Sequence, residues 1–177
     1  MADRPAARRV FLVGGHITSF RGRGKGTSDG DELPRGLRHY INEAVRGALE
    51  SSGVSGAAVD RVYVANFAGE LFNSQGHLGA ALAGADRALL NKPSLRLEAA
   101  CASGGLACSE SVRAIRAGDD CAMAVGVEVQ TTVDARTGGT YLARAADYER
   151  QGTIDDFLFP ALFARRVKAY TERYPSC

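Results

Sequence analysis

The apolar positions of this chain fall into blocks, and each block has a readable period. Residues 8–14, Arg-Arg-Val-Phe-Leu-Val-Gly, are a short continuous apolar run ending at a glycine pair, the pattern of a buried strand. Over residues 36–52 the apolar positions recur at three and four. Leu37, Ile41, Ala44, Val45, Ala48 and Leu49 form one stripe of a predicted amphipathic helix, and Gly53 stands where a helix-ending glycine belongs. Residues 60–67 alternate and predict a second strand. Residues 74–84 read as a small-residue helix, with Leu78, Ala81, Leu82 and Ala85 sharing a face. Residues 94–99, after Pro93, predict a third strand. Residues 103–117 predict a third helix, with Ala107, Ser111, Ala114 and Ile115 on one side and Arg113 and Arg116 elsewhere. Residues 120–130 are apolar enough for a fourth strand buried on both faces.

Strands and helices therefore alternate, βαβαβαβ, which implies an α/β fold with a mainly parallel sheet and helices on both faces. After residue 131 the texture changes. Residues 136–151 are polar with a run of small residues, and 160–174 predict a helix starting at Pro160, a good first-turn residue. The predicted organisation is a core over 1–130 and an appendage over 131–177. Residues 21–32 carry glycines, charges and a serine, and read as a loop. There is no internal repeat and no low-complexity tract.

Composition narrows the classes of partner. The 177 residues include 22 Lys+Arg against 20 Asp+Glu, a formal net charge of +2, which gives no argument for nucleic acid or an anionic membrane. No stretch approaches the ~20 apolar residues a spanning helix needs. The first residues lack a signal-peptide layout, since Arg8 and Arg9 lead only into the short run 10–13, so a soluble cytoplasmic protein is expected. The glycines Gly22, Gly24 and Gly26 do not make a phosphate loop, because Lys25 is followed by Gly26 and not by Ser or Thr. His16, His39 and His77 do not pair at metal-ligand spacing; a structural role is expected for each, with His39 facing solvent, and no metal site is predicted. The cysteines Cys101, Cys108, Cys121 and Cys177 include no C-x-x-C pair. Cys108 and Cys121 read as buried small hydrophobes and Cys177 as exposed.

Cys101 stands apart. In Glu98-Ala99-Ala100-Cys101-Ala102-Ser103-Gly104-Gly105 it falls between the end of a strand and the first turn of a helix. Free amides and the helix dipole at such a place stabilise a thiolate. Small neighbours admit a bulky thioester and let the helix pack tightly, and Ser103 is placed to cap it. A buried structural cysteine in a tight strand-to-helix turn is the other reading, and these residues alone do not separate the two.

Cys-Ala-Ser-Gly after a strand resembles the nucleophile motif of the thiolase superfamily. The opening Val-Phe-Leu-Val-Gly-Gly-His-Ile-Thr-Ser-Phe resembles the thiolase first strand and its Thr-x-Phe turn. Residues 60–69 are similar to the second strand and 76–83 to the helix after it. Gly126-Val127-Glu128 resembles the Gly-x-Glu of the strand that follows the nucleophile helix. Residues 159–166, with Tyr170 and Tyr174, look most like the sterol-carrier-protein-2 type of thiolase.

The resemblance, to acetyl-CoA acetyltransferases and their relatives, implies the N-terminal half of a two-half protein, with residues 131–177 as part of an inserted loop domain. It implies that Cys101 takes an acyl group from an acyl-CoA, with its own backbone N–H in an oxyanion hole. The CoA thioester is then a substrate, no cofactor stays bound, a homodimer is expected, and the setting is lipid metabolism. The activating histidine, the second cysteine and a further oxyanion donor belong to the second half, in motifs such as Gly-His-Pro and Cys-x-Gly that do not occur here. The CoA-contacting residues are not assigned. The resemblance thus describes an incomplete acyltransferase, inactive or weak alone, and a fragment, a split enzyme with a separate C-terminal-half chain, and a degenerate protein all fit it. Other functions compatible with the resemblance are a thiolase-fold aldolase on a CoA thioester and a non-catalytic binding or scaffold subunit. The resemblance also implies an exposed apolar face where the second half would pack, and with it self-association or aggregation.

Overall fold

A computed structural model of the chain describes residues 8–20 and 35–176. The predicted loop with Gly22, Gly24 and Gly26, and Cys177, lie outside the described residues. Contacts divide the chain into two compact units, Met1–Val129 and Gln130–Cys177.

The first unit is built on three parallel strands, β1 (Arg61–Ala65), β2 (Ser94–Leu97) and β3 (Ala122–Gly126), in the order β2-β1-β3. Ala65 pairs with Leu97 on one side and Gly126 on the other, so all three strands end at one edge. Alternation along the central strand explains why helices cover both faces. Val62 and Val64 join Leu37, Ile41 and Val45 of α1 (Leu37–Ser52) in one core cluster. Tyr63 and Ala65 face the other way, onto Ala107 and Ala114 of α3 (Ser103–Ala117). The α1 stripe is where its period puts it, and Gly53 ends that helix at φ 67°, a left-handed conformation glycine takes without a Cβ penalty.

Four expectations are corrected. Residues 8–14 form no strand: no strand pairs with them, and Phe11, Leu12 and Val13 are 68%, 96% and 62% exposed. The βαβαβαβ order is therefore a three-stranded sheet among the described residues. An apolar run supplies strand propensity, but a strand exists only where a ladder forms, and β1, β2 and β3 pair with one another and not with this run. The predicted helix over 74–84 is instead a 3₁₀ segment, Leu78–Gly84, preceded by a short unpredicted helix, α2 (Gly69–Asn73). Ser74 and His77 separate the two at φ 51° and 48°. The apolar face survives, with Leu78, Leu82 and Ala85 buried. The 120–130 strand shortens to β3, because Asp60 accepts the amides of Asp120 and Cys121 before the ladder begins. Its Ala124 and Gly126 are exposed while Val125 is buried, so only one face of it is covered. Cys108 is exposed and Cys121 half-buried, and burial pushes the Cys121 thiol up from its ordinary value.

The second unit is helical. It holds α4 (Ala135–Leu142), α5 (Tyr148–Gln151) and α6 (Leu158–Arg173), so the polar stretch 136–151 contains two helices that its composition did not announce. Their signal was in the caps: the side chains of Asp134 and Asp147 accept first-turn amides of α4 and α5. Pro160 lies in the first turn of α6, two residues inside its start.

Candidate active site

Parallel strands send all their outgoing loops to one edge, and in open α/β sheets ligands bind beyond that carboxyl edge. Three short segments meet there, after β1, β2 and β3.

The segment after β2 carries Cys101. A 3₁₀ turn, Ala100–Ala102, leads directly into α3, and Cys101 is exposed on it. Ala100 holds φ 47°, a left-handed conformation unusual for a residue with a Cβ. Ser103, expected to cap α3, does something else. It is the first helical residue, 5% exposed, and its Oγ accepts the Ala99 N–H at 2.9 Å and donates to the Ala100 carbonyl at 2.7 Å. The Glu98 carboxylate accepts the Ala100 N–H. On α3, Gly104 and Gly105 are exposed, and an added Cβ at either would meet nothing within 4 Å. The small residues therefore leave an open surface next to the thiol; they do not serve tight packing within this chain. Cys108 is exposed on α3, seven residues beyond Cys101, and the 3₁₀ and α-helical rise between them places it about 10 Å away. That is too far for a disulfide with Cys101.

The segment after β1 is held from two sides. Asn66, 1% exposed, donates to the Val127 carbonyl at 2.8 Å and to Glu128 at 3.0 Å, and its Oδ1 accepts the Gly69 N–H at 2.9 Å. The same Glu128 oxygen accepts the amides of Phe67 and Ala68. From β2, Arg96 donates to the carbonyls of Asn66 and Phe67 at 3.3 and 2.7 Å and pairs with Glu70. The Arg96 guanidinium holds the Glu70 carboxyl below its ordinary value. Sequence reading missed Asn66, Arg96 and the reach of Glu128. Only the Gly-x-Glu spacing marked one of them, because the partners lie about thirty to sixty residues apart in the chain.

The histidines are not brought to Cys101 by any contact. His16 lies against Gly47 of α1 and is exposed, His77 is exposed, and His39 is half-buried beside Glu43 and Arg35, not simply facing solvent. Among the described residues no group of three or more His, Cys, Asp or Glu could hold a metal ion. No helix there is long and apolar enough to cross a membrane.

Fold and site together define an α/β unit that presents a cysteine on a strand-to-helix turn at the carboxyl edge of a parallel sheet. The family model described as "Thiolase, N-terminal domain" matches residues 10–166. The chain belongs to the thiolase family through that N-terminal domain. Two curated relatives carry the name acetyl-CoA acetyltransferase. The protein of Methanothermobacter thermautotrophicus is 37% identical over 169 residues, covering 94% of this chain and 40% of the relative. That of Methanocaldococcus jannaschii is 35% identical over the same shares of both chains. The chain thus spans about two fifths of the length of these relatives.

Proposed function

We propose that this chain is the nucleophile-bearing part of a thiolase-type acyl-CoA acyltransferase, with Cys101 as the acyl acceptor. The observation that carries the reading is the position of Cys101. It is exposed on the turn into α3 at the carboxyl edge, in a chain matched to the thiolase N-terminal domain along most of its length. The Cys101 thiolate attacks the carbonyl carbon of an acyl-CoA, and the tetrahedral oxyanion collapses by breaking the carbon–sulfur bond to CoA. A new thioester forms on Cys101 and CoA leaves as thiolate, taking up through solvent the proton that Cys101 gave up. Backbone N–H groups of the turn, that of Cys101 included, are the proposed oxyanion donors.

The reading extends to the whole chain as follows. Residues 1–130 form the catalytic core and 131–177 part of a loop domain. The CoA thioester is a substrate and no cofactor remains bound. The protein works in the cytoplasm, in lipid metabolism, as a homodimer or with a chain bearing the second half. Carbon–carbon condensation is not expected from this chain alone, because Gly-His-Pro and Cys-x-Gly do not occur in it.

Intact-mass spectrometry after incubation with acetyl-CoA tests the central step. One acetyl group is expected on the wild type, on the peptide containing Cys101, and none on Cys101→Ala. Labelling of Cys108 at the same rate as Cys101 would sink the assignment.

A further inference from the structure

We infer that Ser103 is a positioning residue for Cys101. Its catalytic consequence rests on the acyl-transfer reading above; its structural consequence does not. The residue next to the helix start is Ala102, which has no side chain to cap α3, and the serine that follows spends its hydroxyl backwards on the turn. One oxygen bridges the Ala99 N–H and the Ala100 carbonyl, so the peptide before Ala99 and the peptide after Ala100 are pinned together. Between them Ala100 sits at φ 47°. A residue with a Cβ holds such a conformation only where its surroundings over-determine it.

Those surroundings are four hydrogen bonds among neighbouring residues. Ser103 holds Ala99 and Ala100, Glu98 accepts the Ala100 N–H, and the Ala102 N–H returns to the Ala99 carbonyl at 2.9 Å. Glu98 is exposed and its bond competes with water, whereas Ser103 is buried and its bonds do not. The serine is therefore the tie that decides. Cys101 is the next residue after the left-handed one. The direction of its Cα–Cβ bond follows from Ala100, and with it the placement of the thiol before the first amides of α3. Without the hydroxyl, the Ala99 N–H loses its acceptor, Ala100 is free to return to negative φ, and Cys101 turns with it.

The test uses the full 177-residue chain and two readouts. The first is iodoacetamide labelling at neutral pH, read by peptide mass as the ratio of Cys101 to Cys108. Cys108 is exposed on α3, the helix that the Cys101 turn leads directly into, so general loosening moves both. The second is single-turnover acylation by acetyl-CoA. Ser103→Ala is expected to lower the labelling ratio several-fold. It should also lower the maximal acylation rate by ~10-fold or more with little change in half-saturating acetyl-CoA, since misplacing a reacting atom costs rate and not binding.

If Ser103→Ala does not fold, the double variant Ala100→Gly/Ser103→Ala restores the fold, because glycine takes positive φ freely, and it still shows the low ratio. A folded Ser103→Ala with unchanged ratio and unchanged acylation rate overturns the inference. A wild type that acetyl-CoA never acylates, together with a lowered labelling ratio in Ser103→Ala, leaves Ser103 as the positioning residue and overturns the acyl-transfer reading instead.

Discussion

Glu70 and Arg96 lie at the carboxyl edge and make an ion pair whose worth depends on pH. The Arg96 bond depresses the Glu70 carboxyl, so the folded state binds its proton less readily than the unfolded state does. A depressed acid contributes stability above its unfolded value and loses that contribution as pH falls through the folded value. The Glu70 side chain is 53% exposed, so solvent screening keeps the contribution small. Thermal melts of wild type and Glu70→Gln should differ at neutral pH, with the variant less stable. The difference should close as pH drops below the ordinary glutamate range, and a constant gap across pH would show that the pairing charge is not its source. At this scale the sequence disclosed Cys101 because its neighbours are contiguous: strand end, small residues and helix start are adjacent in the chain. Asn66 and Arg96 were invisible. Asn66 is saturated by Val127, Glu128 and Gly69, and only the sheet brings those groups together.

The helices α1 and α3 are covered differently. The α1 stripe is sunk into the sheet, with Ile41 and Val45 fully buried. On α3 the buried side is thin, Ala107 and Ala114, and Gly104 and Gly105 in its first turn stand in open space. Glycine inside a helix costs about 0.5–1 kcal/mol relative to alanine. Gly105→Ala should therefore raise the stability of this chain by about that amount in urea unfolding. The same methyl lies on the surface next to Cys101, so acylation by acetyl-CoA should slow. A variant both stabilised and equally reactive would show that this surface does not take the thioester. Periodicity foretold both helices within a residue or two, because each buries one stripe. It could not foretell that the predicted helix over 74–84 would be a 3₁₀ segment beginning only at Leu78, after the left-handed Ser74 and His77.

For the first unit as a whole, the notable surface is residues 8–20. Leu12 and Phe20 are 96% and 90% exposed, with Phe11, Val13 and Ile17 beside them in sequence. A run of this kind is far more apolar than ordinary solvent-facing chain, and exposed apolar patches drive association. Light scattering should show concentration-dependent self-association of the chain. Leu12→Ser with Phe20→Ser should reduce it while leaving the melting temperature nearly unchanged, because neither side chain is packed. A monodisperse monomer at all concentrations would refute that reading of the segment. Of these exposed side chains, Phe11, Leu12 and Val13 lie on a segment that its apolar run predicts as a strand.

The amino-acid sequence by itself determined the α/β class, the helices at Leu37–Ser52 and Ser103–Ala117, the central strand and the placement of Cys101 between strand and helix. These are local properties, written in period, capping and the order of neighbouring residues. Tertiary structure alone decided which apolar runs became strands, since residues 8–14 and 122–126 look alike until a ladder accepts one of them. It alone joined Glu128 to Asn66 and Phe67, and Arg96 to Glu70, because contacts between distant positions leave no period to read. It also turned Ser103 from an expected helix cap into the bridge behind Cys101, a role set by the fold of the turn and not by the residue type.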